Sequence, residues 1–280
     1  MLSDVIEYLI CPNCGSDLEL TGGAVRCPQG HSYDVARHGY VNLMSGAKTG
    51  SSLGDTSAMV EARAEFLQSG HFSPLAQTVS EEGARAAQAA PGCVVDVGAG
   101  TGYYLAEVLE LVPGRCGLAL DASKYSMRRA ARSHRRIGGV VCDAWGDLPV
   151  HSGSAAVAIN VFAPRHAAEI HRILSPGGRL IVVTPSESHL ATLVSKLDLL
   201  RVDEDKERRL AEKLGALFGL DRETRIEFSM PLGHPDIEAL VAMGPSAWHS
   251  DRNAMRRRIA ALPEPFEVPV SVALSVYEPR

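Results

Sequence analysis

The sequence predicts an α/β protein: an open, mostly parallel, Rossmann-like sheet of seven strands with a small metal-binding module in front of it. Three observations carry the prediction. Apolar runs alternate with helix-like segments through the middle of the chain. The first of those runs ends in a triplet of glycines. Three cysteines and a histidine crowd into residues 11–31, CPNCGSDLELTGGAVRCPQGH. The composition is globular: 280 residues, 45% hydrophobic and 22% charged, are enough for one large domain and a small one. The polar stretch KTGSSLGDTS, residues 48–57, marks the expected boundary between a module over 1–47 and a domain over 48–280.

The elements follow in order. CVVDV (93–97) is continuously apolar apart from Asp96, as a strand buried on both faces should be. CGLALDAS (116–123) and GGVVCDAW (138–145) are a second and a third strand, each ending in an aspartate. AAVAINVFAP (155–164) is a fourth, ending in Asn160 and a loop to Pro164. HAAEIHRILSPGGRLIVVTP supplies a helix, a Pro-Gly-Gly turn and a fifth strand, and a charged helical region follows to about Gly219. RIEFSMPL (225–232) alternates. So does VPVSVALSVYE (268–278), with Val268, Val270, Val272, Leu274 and Val276 on one face. Alternation of this kind predicts antiparallel pairing at a sheet edge. Cys93, Cys116 and Cys142 fall in apolar runs and read as small core residues.

The other cysteines form C-x2-C-x12-C-x3-H with His31. Each close pair sits in a tight turn, so Cys11, Cys14, Cys27 and His31 can converge on one ion. Thiolate and imidazole suit tetrahedral zinc, and four protein ligands leave no open position, so the metal is structural. Between them, DLELTGGAVRC reads as a hairpin about Gly22 and Gly23. A module this small cannot bury a sufficient core, and the metal is expected to supply its folding energy.

The glycine loop is G-x-G-x-G: Gly98, Gly100 and Gly102, with Asp96 just before it and Thr101 within it. Tyr103 stands where a dinucleotide fingerprint needs a small residue, so that pattern fails. The spacing is that of S-adenosylmethionine enzymes. The glycines let the backbone approach the methionine part of the cofactor, and Asp96 can meet its ammonium. Asp121, at the end of the second strand, is placed for the ribose hydroxyls, and Asp143, at the end of the third, for the adenine amino group. Five parallel strands followed by two late ones, the last antiparallel, is the class I methyltransferase version of the fold.

The net charge is −5, which excludes a global basic field. Basic residues concentrate in MRRAARSHRR (127–136) and RNAMRRR (252–258), each suited equally to phosphates or to a solvated helix face. The start, MLSDVIEYLI, lacks a basic region and carries Asp4 and Glu7, which makes a poor signal peptide. No apolar run is long enough to span a bilayer. The expectation is a cytoplasmic protein with no membrane partner.

Several segments resemble the RlmA-type 23S rRNA (guanine-N1)-methyltransferases. They are CPQGHSYDVARHGYVNLM (27–44), GDTSAMVEARAEFLQSGHFSPL (54–75), DVGAGTGYY (96–104), FAP (162–164), TPSESHL (184–190) and MGPSAWH (243–249). They run in order along nearly the whole chain. The glycine loop and SPGG are generic to methyltransferases; the metal module followed by GYVNL, and EARAEFL leading to GHF, are specific. Within that family the chain looks like the Gram-positive branch, some members of which give resistance to macrolides such as tylosin.

The resemblance implies S-adenosylmethionine as cofactor and a guanine in a hairpin loop of 23S rRNA as substrate. It implies structural zinc at the four ligands and an RNA-recognition role for their module. It implies cofactor contacts at Gly100, Thr101, Phe72 and His189, with tyrosine commoner than phenylalanine at position 72. A homodimer clasping one RNA is left open. Guanine N1 carries a proton that must leave, which calls for a base or for groups that stabilise the developing O6 charge. Asn160, Asp55 and His166 are the catalytic candidates, with His189 beside them. The loop through Asn160, Phe162 and Pro164 is expected to face the methyl, and Trp248 to offer a stacking surface. The alternative reading is a small-molecule S-adenosylmethionine-dependent methyltransferase whose zinc module is purely structural.

Overall fold

A computed structural model describes residues 1–44, 54–199, 212, 214–244 and 251–280. Most of the expected boundary stretch, and Trp248 with the segment around it, lie outside the described residues.

The N-terminal module is a three-stranded antiparallel sheet of β1 (Glu19–Thr21), β2 (Ala24–Arg26) and β3 (Ser32–Asp34). The expected hairpin is present, Thr21 pairing with Ala24 across Gly22 and Gly23, both at positive φ. The next strand, β4 (Tyr40–Asn42), leaves that sheet and pairs in parallel with β7 (Ile137–Val141) of the large one. The large sheet therefore has eight strands rather than seven, in the order β10-β11-β9-β8-β5-β6-β7-β4. A three-residue strand between turns carries too little pattern to be read from sequence.

The remaining elements are α1 (Ser57–Gln68), α2 (Ser73–Ala89), β5 (Cys93–Val97), α3 (Tyr103–Leu111), β6 (Gly117–Asp121), α4 (Lys124–Ser133), β8 (Ala155–Val161), α5 (Ala167–Ile173), β9 (Leu174–Pro185), α6 (Ala191–Leu197), β10 (Phe218–Leu232), α7 (His234–Ala242), α8 (Arg252–Ala260) and β11 (Phe266–Pro279). Strands β5 to β9 pair in parallel, and β11 runs antiparallel between β9 and β10, as the late alternating runs predict. Val268, Val270, Val272, Leu274 and Val276 do share one buried face. Two boundaries differ from expectation. The Pro-Gly-Gly segment lies inside β9, where the pairing with β8 jumps from Leu174 to Arg179, and so forms a bulge. Strand β10 opens at Phe218, ahead of the run expected from Arg225; it lies at the sheet edge with residues 220–223 exposed, so no apolar alternation announces its first half.

A parallel sheet needs cover on both faces. One face, carrying Val94, Ala119, Ile159 and Ile181, packs against residues of α2, α3 and α4 such as Val79, Leu105 and Met127. The opposite face carries Val95, Leu118, Leu120 and Val140. Toward β8 and β9 it is covered by Ile170 and Ile173 of α5. Toward β7 no α-helix among the described residues covers it, because residues 142–154, which connect β7 to β8, contain none. Leu2, Val5, Leu9, Leu18 and Val25 of the N-terminal module fill that place, continuous with Leu148 and Val150. Backbone bonds fix the seam: Ile10 N–H donates to Pro149 O (3.1 Å) and His151 N–H to Tyr8 O (2.9 Å). The module thus takes the position of a crossover helix.

The seam is tightest at Gly138, where an added Cβ would meet Val5 Cγ2 at 2.2 Å. Val5 is fully buried and its side chain is stiff, so Gly138→Ala should cost about 1–3 kcal/mol of stability by overpacking. The check is denaturant unfolding of the full chain; an unchanged midpoint would show that the module does not bear on the sheet. Because the cover is shared, chelating zinc should lower the thermal midpoint of the whole chain in one transition, whereas two separate transitions would mark the module as independent.

Candidate active site and zinc centre

The sheet order reverses between β5 and β8, and the loops leaving these two strands diverge to open a crevice at their carboxyl ends. The glycine loop leaves β5 there. Gly98 sits against the loop after β8, where a Cβ would fall 2.4 Å from Ala163 Cβ, so no side chain fits. Asp121 ties the glycine loop to β6: its Oδ2 accepts from Gly100 N–H (2.9 Å) and its Oδ1 from Ser123 N–H (2.8 Å).

The crevice is a cavity of about 510 Å³, lined by Asp96, Gly98, Gly100 and Thr101 on the loop side and by Phe72, Phe162 and His189 on the other. That volume suits a cofactor-sized ligand. Strand alternation places Asp96 on the same face as Val94, pointing toward the cavity, and its side chain is only 2% exposed. Burial, with the nearby Asp121 carboxylate, pushes its carboxyl up to about 8. Tyr104 also lines this cavity, and its hydroxyl is buried with no hydrogen-bond partner among the described residues. An uncompensated carboxyl, an orphaned hydroxyl and a glycine cradle that admits no Cβ together fit the amino-acid end of S-adenosylmethionine. Arg63, on α1, adds a cation: its guanidinium pairs with Asp55, donates to Met243 O (2.8 Å) and lies 3.3 Å from where a Gly100 Cβ would be.

Phe72, Phe162 and His189 form the far wall. His189 lies 5.6 Å from Phe162 and 6.5 Å from Phe72, centroid to centroid. Phe72 is a buried core aromatic and a cavity wall at once. Phe162 is 41% exposed and holds a positive φ of 52°, a strained conformation for an aromatic residue. Burial drives His189 down to about 4, so the ring is neutral. Its Nδ1 accepts from Ser271 N–H (3.4 Å), which assigns the ring proton to Nε2.

Other candidates are placed elsewhere. Asn160 is fully buried: its Nδ2 donates to Val97 O and Pro164 O (2.9 Å each), and its Oδ1 accepts from Arg165 (3.1 Å). It clamps the β8 loop to β5 and does not line the cavity. His166 caps α5, its Nδ1 accepting from Glu169 N–H (3.2 Å). Asp55 lines the cavity, but from the β6 side, where its carbonyl accepts from Ser123 Oγ (2.7 Å). Asp143 accepts from Trp145 N–H (2.9 Å) and lines a different cavity, beside Cys11 and Cys14. Sequence reasoning missed Arg63 and Tyr104, since a lone arginine on a helix and the second of two tyrosines signal nothing until the fold aims them.

The four metal ligands converge: Cys11, Cys14, Cys27 and His31 place their ligand atoms within 4.8 Å of one another. His31 Nδ1 lies 3.5 Å from Cys11 Sγ and 3.3 Å from Cys27 Sγ, and Cys14 Sγ lies 3.7 Å from Cys27 Sγ. Zinc bonds of about 2.0–2.3 Å in a tetrahedron put ligand atoms roughly 3.5–3.8 Å apart, so the donor set fits that ion. Tyr33 Oη sits 3.2 Å from Cys11 Sγ, placed to donate to the metal-bound thiolate.

Fold and site together define a class I S-adenosylmethionine-dependent methyltransferase with an N-terminal zinc ribbon. Residues 9–51 match the family described as RlmA, N-terminal, and residues 95–182 the one described as Methyltransferase domain. The chain is 49% identical over 280 residues to the 23S rRNA (guanine(748)-N(1))-methyltransferase of Streptomyces fradiae, covering 100% of this chain and 99% of that one. It is 45% identical over 296 residues to a provisionally named 23S rRNA (guanine-N1)-methyltransferase of Micromonospora griseorubida, with 100% of each covered. A provisionally named relative from Bacillus subtilis is 27% identical over 279 residues, covering 95% and 94%. The chain belongs to this family of 23S rRNA (guanine-N1)-methyltransferases.

Asp96 yields a pH prediction. Its folded pKa lies above the ordinary value of about 4, so its contribution to stability is greatest below pH 4 and is lost as pH rises through about 8. A bound ammonium favours the ionised form, so cofactor affinity should rise between pH 6 and pH 8, and Asp96→Asn should abolish the rise. Calorimetry across that range checks it; a flat profile in the parent chain would remove Asp96 from the ammonium site. At the zinc centre, Tyr33→Phe should weaken metal affinity about tenfold, measured by competition with a chromophoric chelator.

Proposed function

We propose that this chain methylates N1 of a guanine in a hairpin loop of 23S rRNA, at the position equivalent to the guanine 748 named in the Streptomyces fradiae relative. The observation that carries the reading is full-length identity of 49% to that enzyme, joined to a cavity whose outer wall is aromatic and open. N1 lies on the pairing edge of the base, so the guanine must be unpaired or extruded to react. An rRNA substrate puts the protein in the cytoplasm. Among the described residues no helix is long and apolar enough to cross a membrane.

S-adenosylmethionine, when bound, supplies a methyl already activated by its sulfonium. Asp96 and Tyr104 would hold its amino-acid end, with Arg63 for the carboxylate. Asp121 keeps lone pairs for the ribose while its backbone bonds fix the loop. The strained Phe162 ring, more exposed than its neighbours in the wall, stacks on the guanine and excludes water. His189 is no base: it is neutral, its Nδ1 is occupied, and its Nε2 carries a proton. It donates to guanine O6, where negative charge develops as the N1 proton passes to solvent at the open side of the cavity. Asn160 acts by holding the Phe162 loop in register.

Radiolabelled methyl should enter 23S rRNA and stop reverse transcription at one guanine, because methylation removes a Watson–Crick donor. Label confined to small molecules would refute the reading. His189→Phe should lower kcat about 100-fold with cofactor affinity nearly intact. With His189 neutral at and above pH 5.5, kcat should show no limb near pH 6.5; such a limb would return His189 to the role of base.

A further inference from the structure

A second cavity, also of about 510 Å³, lies between α1 and α4. It shares Leu67, Thr101 and Tyr103 with the cofactor cavity, so the two lie side by side with these residues between them. Its α4 wall is Arg128, Arg129 and Arg132, with Tyr125 at 39% exposure. Glu61 is the acidic residue of its lining. Helix α4 buries Ser126, Met127 and Ala130 against the sheet, which leaves these arginines directed outward.

The basic run divides in two. Arg136 serves the fold: its guanidinium donates to Val112 O (2.7 Å) and Arg115 O (2.6 Å) and so closes the end of α3. Arg128, Arg129 and Arg132 have no carboxylate partner among the described residues; Arg132 instead touches His38 of the zinc ribbon, which also accepts from Arg37 Nε (3.1 Å). Cations from ribbon and domain thus meet on one face. The other run is more committed: Arg256 pairs with Glu238 (3.1 Å) and Arg258 donates to Leu197 O (2.9 Å).

Guanidiniums without carboxylate partners among the described residues, beside a tyrosine ring and next to a methyl-transfer site, match one chemistry. Phosphates take the arginines, and a base takes the ring whatever its identity. We infer that the groove between α1 and α4 is the track of the single-stranded RNA flanking the target guanine, with Arg128, Arg129 and Arg132 on its phosphates and Tyr125 stacked on a neighbouring base. This rests on the functional reading above and assigns the path by which that substrate reaches the cavity. It also gives the ribbon its part in recognition, through Arg37 and His38 on the same face.

The test is filter binding of unmodified 23S rRNA transcript to the full chain across a salt series, alongside methyl transfer. Replacing the three arginines by glutamine should weaken binding at least about tenfold and lower the slope of log K against log salt by about two units. Cofactor affinity should stay at the parent value. Replacing them by lysine should restore most of the slope, since a phosphate accepts a point charge. R256Q/R257Q should leave both quantities unchanged. Unaltered slope and affinity in the triple glutamine variant would overturn the assignment. So would an equal loss in R256Q/R257Q, or a parallel loss of cofactor affinity. If the parent chain methylates no rRNA, the functional reading fails; if it does and the triple variant matches it, only the groove is wrong.

Discussion

The structure depends on one constraint: a parallel sheet must be covered on both faces. Here one cover is held in shape by a metal. Between β7 and β8 the chain spends thirteen residues, 142–154, without building a helix. The gap is closed by Leu2, Val5 and Leu9 and by the ribbon behind them. Gly138 exists in β7 because Val5 stands where its side chain would be. Zinc therefore does more than fold a knuckle, since the ribbon it organises is part of the domain's core. Strand β4 extends the same logic by adding the ribbon's last strand to the sheet edge.

At the carboxyl ends of the strands the constraint is electrostatic. Asp96 is buried with another carboxyl nearby and, among the described residues, no cation paired to it, and the hydroxyl of Tyr104, which lines the same cavity, is unsatisfied. Such groups cost stability unless a ligand answers them. The fold carries that cost by clamping what surrounds them. Asp121 pins the glycine loop, and Asn160 pins the opposite loop to β5. The strain at Phe162 belongs to the same arrangement, a side chain aimed outward by a backbone that its neighbours hold in place.

RNA recognition fits an acidic protein once charge is considered locally. A net charge of −5 supplies no long-range field, and the Debye length at physiological salt is only about 8 Å. What matters is that α4 carries guanidiniums without carboxylate partners among the described residues, in a cavity beside that of the cofactor, while the basic run on α8 is partly paired. The same residue type, in runs of similar length, has different meanings because of what packs beside it.

By itself the sequence determined the order of elements, the zinc ligands, the glycine loop with Asp96, and the cofactor class. Each of these is local: a spacing, a period or a turn that neighbouring residues write together. Resemblance over the whole chain pointed to Phe72 and His189, which line the cavity and which no local pattern marks. Only the tertiary structure decided which polar groups face the cavity. Asn160 and His166 look like chemistry in the sequence and prove to be a loop clamp and a helix cap, because partners distant or backbone-borne claim their hydrogen bonds. Arg63 and Tyr104 look like nothing in the sequence and are aimed at the site by α1 and α3. The ribbon's role as a sheet cover was likewise invisible, since what a face lacks can be seen only when the strands are laid side by side.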